Sequence, residues 1–242
     1  MPRQNTPGEI LQTLSSIELY TEPATPVTAA TTGAIAALAA VAPFGTTPTG
    51  FASGDPVYFV GTGGPELNAV GGVPAASLPL TYKAAAAQAI GAVMHKMVKQ
   101  DLGYIEQSGL KAHVQLSQNP IMAANYRAPV GYTRGPGELS GSLALYGVNL
   151  ENLALFFGID SAQISGAGTS TDPWQLAVSG LTLASHGLMA FRAKGVRDDL
   201  VNVWQDFNGV TITPNGDISI TNQGPTTVPV TFRYLNSVIR EW

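Results

Sequence analysis

Two segments near the middle of the chain, 110–116 and 139–145, alternate between apolar residues and small or polar ones. A period of two indicates β-strands, because successive side chains of a strand point to opposite faces of its sheet. Each strand then has one apolar and one polar face, which is typical of a sheet that is covered on one side only. The polar positions are Lys111, His113, Gln115, Ser117, Ser140 and Ser142.

The connection between these strands, 119–137, is long for a hairpin and is held extended by Pro120, Pro129 and Pro136. Connections of this length are usually functional or disordered, and Arg and Tyr are enriched at protein interfaces. We therefore predict an interaction arm, with an ordinary solvated loop as the alternative. The residues predicted to make its contacts are Asn125, Tyr126, Arg127, Tyr132 and Arg134.

Two helices are predicted beside the strands. The segment 83–100 is rich in Ala, Gln, Lys and Met, which are good helix formers. A short amphipathic helix is predicted over 149–157, with Asn149 as its N-cap. Ala34 to Ala42 could add a helical turn or two before Pro43.

The remaining pattern predicts short strands and turns. Strands are expected at 57–60, 174–178, 181–194 and 228–235, and a hairpin with an Asn-Gly turn at 211–220. The fold class is therefore mainly β (α+β), an antiparallel β-sandwich with one or two flanking helices and a small β insertion. The expected organisation is an N-terminal arm at 1–20, a loop and small β subdomain at 21–82, and the sandwich at 83–242.

The low charge of the chain favours a protein that assembles with other protein. Charged residues are 12% of the 242 residues, against the usual share of about 25%. An ordinary soluble domain with a Ser/Thr-rich surface is the alternative. The net charge of −4, with 12 scattered Lys and Arg residues, argues against tight DNA binding, which needs a basic patch.

Several other classes are disfavoured by the sequence. The chain has no cysteine, so disulfides and Cys-ligated metals are excluded. The most apolar run, 33–43, is shorter than the ~20 residues that span a bilayer, and the N-terminus lacks the pattern of a signal peptide. No membrane partner is predicted.

A search for reaction chemistry leads to no catalytic, cofactor or metal residue. His95, His113 and His186 lack metal-ligand spacing and are interpreted as solvated. Ser185 and His186 could form a triad with Asp198 or Asp199, but the Gly-x-Ser-x-Gly elbow is missing. The protein is predicted not to be an enzyme.

Two further motifs are given structural interpretations. The run Gly61–Gly64 lacks the Gly-Lys-Ser/Thr ending of a phosphate loop and is interpreted as a turn. Asp198, Asp199 and Asp206 are interpreted as solvated loop acids rather than a calcium site.

The order of elements resembles the major tail tube proteins of long-tailed bacteriophages. Two long strands are followed by Gly-Val-Asn-Leu-Glu-Asn-Leu-Ala-Leu-Phe-Phe-Gly at 147–158 and by strands that end in Val-Thr-Phe-Arg-Tyr-Leu at 230–235. The stretch from Asn152 to Gly158 fits the short helix of that family. The resemblance covers roughly 100–242 and depends on element order. The segment 40–82 is similar to small β modules inserted in other phage tail proteins.

The resemblance implies a structural virion protein of the phage tail, assembled in the host cytoplasm. Subunits of this family form stacked rings, usually of six copies, and DNA passes through the tube without specific binding. Lys111, His113, Gln115, Ser117, Ser140 and Ser142 would face the lumen, and the arm 119–137 would contact the next ring. The partners would be further copies of the chain and other tail proteins.

Two alternatives and one departure from the family pattern accompany this prediction. The alternatives are another phage ring or decoration protein and a carbohydrate-binding or hydrolytic β-sandwich. In the second alternative Trp174, Trp204 and Tyr126 would form an aromatic platform, although at least one Trp is expected in the core. The departure is that Glu106 and Glu138 are the main acids of the two strands, so that either the lumen is less acidic than usual or the strand register differs by one residue.

Overall fold

The computed structural model describes residues 13–102, 104–105, 110–121, 131–146, 151, 154, 164–167, 169–176, 187–196, 201–213 and 227–241. In these residues the chain forms 18 antiparallel strands, and only Glu151 and Ala154 have helical backbone. The strands are β1 Thr13–Thr21, β2 Thr28–Ala30, β3 Val41–Pro43, β4 Pro56–Val60, β5 Glu66–Ala69, β6 Ser77–Pro79, β7 Val93–Lys96, β8 Val98–Asp101, β9 Tyr104–Ile105, β10 Lys111–Ile121, β11 Gly131–Tyr146, β12 Ile164–Ser165, β13 Gln175–Leu176, β14 Met189–Val196, β15 Asn202–Asn208, β16 Thr211–Thr213, β17 Thr227–Arg233 and β18 Asn236–Glu241.

Two sheets form a sandwich. One has the order β18-β15-β14-β1-β8, and the other has the order β10-β11-β17-β16 with β9 beside β11. Alternating apolar residues of both sheets meet in one buried cluster, in which the rings of Phe191 and Phe207 pack edge-on against Phe232 at 4.9 and 5.8 Å. The prediction of a mainly β, antiparallel sandwich is confirmed.

A small β unit, which we define as residues 22–97, lies between β1 and β8 in the sequence. It consists of a sheet with the order β2-β7-β4-β5 and the ribbon β3-β6, around a core of its own that includes Phe59, Leu78 and Met94. Strands β1 and β8 are themselves neighbours, and Thr21 pairs with Val98. The chain therefore leaves the sandwich and returns to it at adjacent positions.

Strand pairing places the limits of the small β unit differently from the expected 21–82. Strand β7 pairs with β2 and β4, so the unit continues beyond residue 82 to Met97, and β8 follows directly. At the N-terminus, Thr13–Thr21 forms the strand between β14 and β8. This part of the predicted arm 1–20 is therefore an interior strand of the sandwich.

The helix predicted over 83–100 is wrong. The segment contains β7 and β8, and the residues before them run beside Ile35, which exchanges backbone hydrogen bonds with Gln88 at 2.8 and 2.9 Å. Met94 is buried, but Ile90 on the supposed helix face is exposed. Long-range strand pairing overrides the helix propensity of the alanines here. The helical turns expected at Ala34–Ala42 are likewise replaced by β3 and bends.

The predicted arm 119–137 is shorter than the pattern indicated, because it begins later and ends earlier. Strand β10 continues to Ile121 and β11 begins at Gly131, where the two residues are Cα partners. The loop prediction for 119–121 and 131–137 is therefore wrong, and only 122–130 lies outside the described residues. The hairpin expected at 211–220 is described only at Thr211–Thr213, which pairs with β17. Of the predicted helix 149–157, the described residues are Glu151 and Ala154.

Candidate functional site

The outer face of the β10-β11-β17-β16 sheet is polar and open to solvent. Its residues lie in rows across the strands: Lys111 is opposite Ser142, and His113 is opposite Ser140, which pairs in turn with Arg233. The opposite face carries Leu143, Leu145 and other buried residues of the core. The alternation that predicted these strands therefore separates a core face from a polar face, as expected.

Five of the six residues predicted for this polar face share it. Lys111, His113 and Gln115 are exposed, and Ser140 and Ser142 are half-buried. Cross-strand pairing joins Lys111 to Ser142 and His113 to Ser140, so all five side chains lie on the same face of the sheet. A register shifted by one residue, which would place them on the opposite face, is therefore excluded for this part of the sheet. The sixth residue, Ser117, lies where the pairing shifts between Leu116 and Gln118, and its side chain is outside the described residues.

The charges described on the polar face do not make it acidic. Glu138 pairs with Arg233 at 3.0 Å, and both side chains are at least half exposed. Lys111 adds a positive charge on β10. Across the described residues, this face is therefore nearly balanced in charge and slightly basic.

Strand β10 forms one edge of its sheet. It has 11 residues, and within the described part of the chain it pairs only with β11. Pro120 lies near its end, opposite Tyr132, which is a position that an edge strand tolerates because proline lacks an N–H group. A long edge strand is a ready partner for another strand, since one row of its backbone groups is unpaired.

The five predicted contact residues of the arm are divided by the described range. Tyr132 and Arg134 lie on β11, opposite Pro120 and Gln118, and their side chains are outside the description. Asn125, Tyr126 and Arg127 lie in 122–130, outside the described residues. The structure therefore shows a two-stranded ribbon that leads to this segment.

A buried ionic network joins the small β unit to the sandwich. Arg192 donates two hydrogen bonds to Asp206, at 2.6 and 2.9 Å. Arg240 donates to Asp206 at 2.6 Å and to Glu66 of the small β unit at 2.9 Å. Asp206 is fully buried, and the side chain of Glu66 is 4% exposed. Burial raises the pKa of Glu66, although the N–H of Ala85 and the charge of Arg240 oppose this.

Aromatic rings surround the central arginine of this network. The guanidinium carbon of Arg192 lies 4.5 Å from the ring centroid of Trp204, 5.3 Å from that of Tyr82 and 5.6 Å from that of Tyr20. Tyr82 comes from the small β unit and the other two rings from the sandwich. Burial would lower the pKa of Arg192, but the hydrogen bonds to Asp206 raise it. Arg192 is therefore a permanent cation in a closed polar and aromatic site.

A third acidic group, Glu18 on β1, lies beside this network. Its carboxylate accepts hydrogen bonds from Lys194 at 2.8 Å, from Tyr20 at 2.7 Å and from Lys99. Burial alone would raise the pKa of Glu18, but these three hydrogen bonds outweigh it and lower the pKa to about 2. The glutamate therefore stays ionised while it is buried.

The structure corrects two of the histidine and aspartate interpretations. Asp206 was expected to be a solvated loop acid, but it lies on β15 and is fully buried between two arginines. His95 was expected to be solvated, but its Nδ1 lies 2.8 Å from the carboxylate of Glu22 and its side chain is only 18% exposed. Neither ion pair could be predicted from local sequence, because Glu22 is far from His95 along the chain and Arg240 is far from Asp206.

Other interpretations agree with the structure. His113 is exposed on β10, and Gly61–Gly64 forms a turn closed by a 3.1 Å hydrogen bond from Gly64 N–H to the Gly61 carbonyl. Trp204 is buried, as expected for at least one tryptophan, while Trp174 is 59% exposed.

The remaining site predictions fall largely on undescribed positions. Ser185, His186, Asp198 and Asp199 lie outside the described residues. Among the described residues no group of three or more His, Asp or Glu side chains could hold a metal ion, and no helix is long and apolar enough to cross a membrane.

Comparisons with known protein families and with curated proteins returned no match.

Proposed function

We propose that the protein is a structural, self-assembling subunit of a phage tail tube, in which copies form rings and the rings stack. The observation that carries the proposal is the 11-residue edge strand β10 beside a polar, solvent-open sheet face. An edge of this length would favour uncontrolled aggregation in a monomer. Pairing with an edge strand of the next copy would satisfy it and would continue the sheet around a ring.

In such a ring the polar face would line the channel. Its described side chains are hydroxyls, an amide, an imidazole and few charges: Lys111, His113, Gln115, Ser140, Ser142, Glu138 and Arg233. A surface with so little net charge would hold the phosphates of passing DNA only weakly, because tight non-specific binding needs many cationic contacts. The ribbon of β10 and β11 would extend along the tube axis and carry the segment 122–130 to the next ring.

A pair of proline variants tests the ring contact. Successive N–H groups of an edge strand point alternately toward its partner and away from it. Of Ala112→Pro and His113→Pro, one therefore removes a hydrogen bond to β11, and the other removes only an outward donor. The outward variant should keep a wild-type circular dichroism spectrum and melting temperature but should lose ring formation in electron micrographs. Rings of wild-type appearance from that variant would contradict the strand-pairing proposal.

A shortened arm tests the contact between rings. Ile121 and Gly131 are Cα partners, so an Asn-Gly turn can replace 122–130 and close the hairpin. We expect this variant to form single rings that do not stack. Stacked tubes from the shortened chain would contradict the role of the arm. If the full-length chain forms rings but never tubes, the alternative ring or decoration protein is supported instead.

A further inference from the structure

The small β unit is almost free of charge. Of its 76 residues, 22–97, only Glu22, Asp55, Glu66, Lys83 and Lys96 are charged, whereas a typical share would give about 19. Glu66 is buried against Arg240, and Asp55 pairs with Lys96 at 2.6 Å. The surface of the unit is therefore built mainly of uncharged small residues. Surfaces with so little charge favour association.

The unit exposes five large aliphatic side chains, those of Leu38, Val41, Val60, Val73 and Ile90, and the first, second and fourth are considered together. Val73 is 83% exposed, Leu38 is 70% exposed and Val41 is 47% exposed. The three lie on adjoining segments, because Val41 pairs with Pro79 and the Pro79 carbonyl accepts a hydrogen bond from the N–H of Gly71 at 2.8 Å. We call these three residues the apolar patch.

Leu38 has a backbone conformation that leucine disfavours. Its φ is +65°, and it is the only residue other than glycine with positive φ among the described residues. The turn is held by hydrogen bonds from Leu38 N–H to the Ala84 carbonyl at 2.8 Å and from Ala39 N–H to the Ala36 carbonyl at 3.1 Å. Glycine or asparagine would adopt this conformation with less strain. Folding of the unit therefore does not explain a leucine here, and its exposed side chain indicates a contact.

We propose that the apolar patch packs against the small β unit of a neighbouring copy of this chain. Contact with the sandwich surface of a neighbour would bring the patch against charged groups such as Lys99, Lys111 or Glu138. Taking charged groups out of water beside aliphatic side chains is unfavourable even when they are paired. The surface on this chain that matches a charge-free patch is the small β unit itself. This contact rests on the proposed self-assembly. It is separate from strand pairing at β10 and would add a second set of contacts between neighbouring copies.

Lysine substitutions test the contact, with a matched control on the sandwich. Leu38→Lys and Val73→Lys should each weaken self-association of the full chain, measured by sedimentation equilibrium, by about tenfold or more. This is the contribution expected from burying one such aliphatic side chain. Leu235→Lys is the control, because Leu235 is also 70% exposed but lies between β17 and β18. It should leave the association constant unchanged.

Two further variants separate association from folding. Leu38→Gly relieves the positive φ, so its melting temperature should not fall, while its self-association should weaken as in Leu38→Lys. The chain has no cysteine, so Leu38→Cys provides a single thiol, with Leu235→Cys as control. The thiol of the Leu38→Cys variant should react with a maleimide several-fold more slowly in the assembled protein than in the dissociated protein.

Three results would overturn the inference. They are a chain that stays monomeric at every concentration, an assembly that Leu38→Lys leaves unchanged, and a thiol in Leu38→Cys that reacts equally fast in both states. A different set of results would contradict the tail-tube proposal alone. In that case the lysine and cysteine variants would still show the contact between small β units, but the oligomer would not form stacked rings.

Discussion

Replacing Arg240 by methionine should destabilise the protein more than any exposed ion pair could explain. The guanidinium of Arg240 is the direct link in the buried network between the small β unit and the sandwich, since it binds Glu66 at 2.9 Å and Asp206 at 2.6 Å. Methionine preserves most of the aliphatic stem but removes the charge. The substitution leaves two carboxylates in place at a site that is almost closed to water.

The expected loss in free energy of unfolding is about 3–5 kcal/mol, the usual effect of removing one partner of a buried ion pair. We expect a loss in the lower part of this range, because both carboxylates keep other hydrogen bonds. Asp206 still accepts two from Arg192, and Glu66 still accepts one from the N–H of Ala85 at 2.9 Å. A double-mutant cycle with Glu66→Gln isolates the link between the two parts. Hydrogen bonds between charged groups contribute ~1.5–3 kcal/mol, and we expect a coupling energy of that size.

Urea unfolding at pH 8, followed by tryptophan fluorescence and circular dichroism, measures these energies and avoids the screening that a salt denaturant introduces. The control is the same cycle on Glu138 and Arg233, a pair at 3.0 Å whose side chains are 50% and 69% exposed. Exposed pairs contribute ~0–1 kcal/mol. A coupling between Glu66 and Arg240 that is no larger than the control would refute the conclusion that burial makes this link strong.

Three other predictions concern stability and assembly. Three hydrogen bonds outweigh burial and lower the pKa of Glu18 from 4.5 to about 2. The ionised carboxylate therefore stabilises the fold fully above pH 4.5. This contribution is lost as the pH falls toward 2. Glu18→Gln should therefore flatten the acid limb of stability by ~1–3 kcal/mol in urea titrations at several pH values; an unchanged acid limb would contradict this. Gly141→Ala should lower stability by ~1–3 kcal/mol in calorimetry, because a Cβ there would lie 2.4 Å from the ring of Phe232, whereas Ser142→Ala should be nearly neutral. Salt should have little effect on the strand pairing proposed for β10, since backbone groups carry it, and a strong salt dependence of ring formation in light scattering would contradict that.

The parts of the fold that were predictable are those where the side chains alternate. In β10 and β11 the apolar and polar positions differ clearly, so both the strands and their faces could be assigned before the pairing was known. The ends of the same strands could not be assigned, because Pro120 and Pro136 normally interrupt a ladder. An edge position accommodates Pro120, and the ribbon continues past it.

The segment 83–100 shows why local propensity failed. Its alanines carry no strong preference for a face, and the apparent helical face joined the buried Met94 and Met97 to the exposed Ile90. The observed strands depend on partners far along the chain, such as β4 for β7 and β1 for β8. No local pattern contains that information.

The buried network was also beyond prediction, because Glu66, Arg192, Asp206 and Arg240 are distant in sequence. A weak signal was present: Arg192 and Asp206 each stand beside strongly apolar strand residues, which indicates a charged position on a strand whose other face is core. The same pattern also fits a strand whose charged face is open to solvent. The sequence therefore could not show that the small β unit covers this face of the sheet.

The small β unit enters and leaves the sandwich at one position, which makes it separable in principle. Since Thr21 and Val98 are cross-strand partners, a tight turn could join β1 to β8 directly and leave the order of the sandwich strands unchanged. The face uncovered by such a deletion would present the charged residues Glu18, Arg192, Lys194, Asp206 and Arg240. It would also present Tyr20, Ala190 and Trp204, which now pack against the small β unit. The sheet beneath the small β unit thus combines the charged residues of an outer surface with apolar residues that only the unit shields from water.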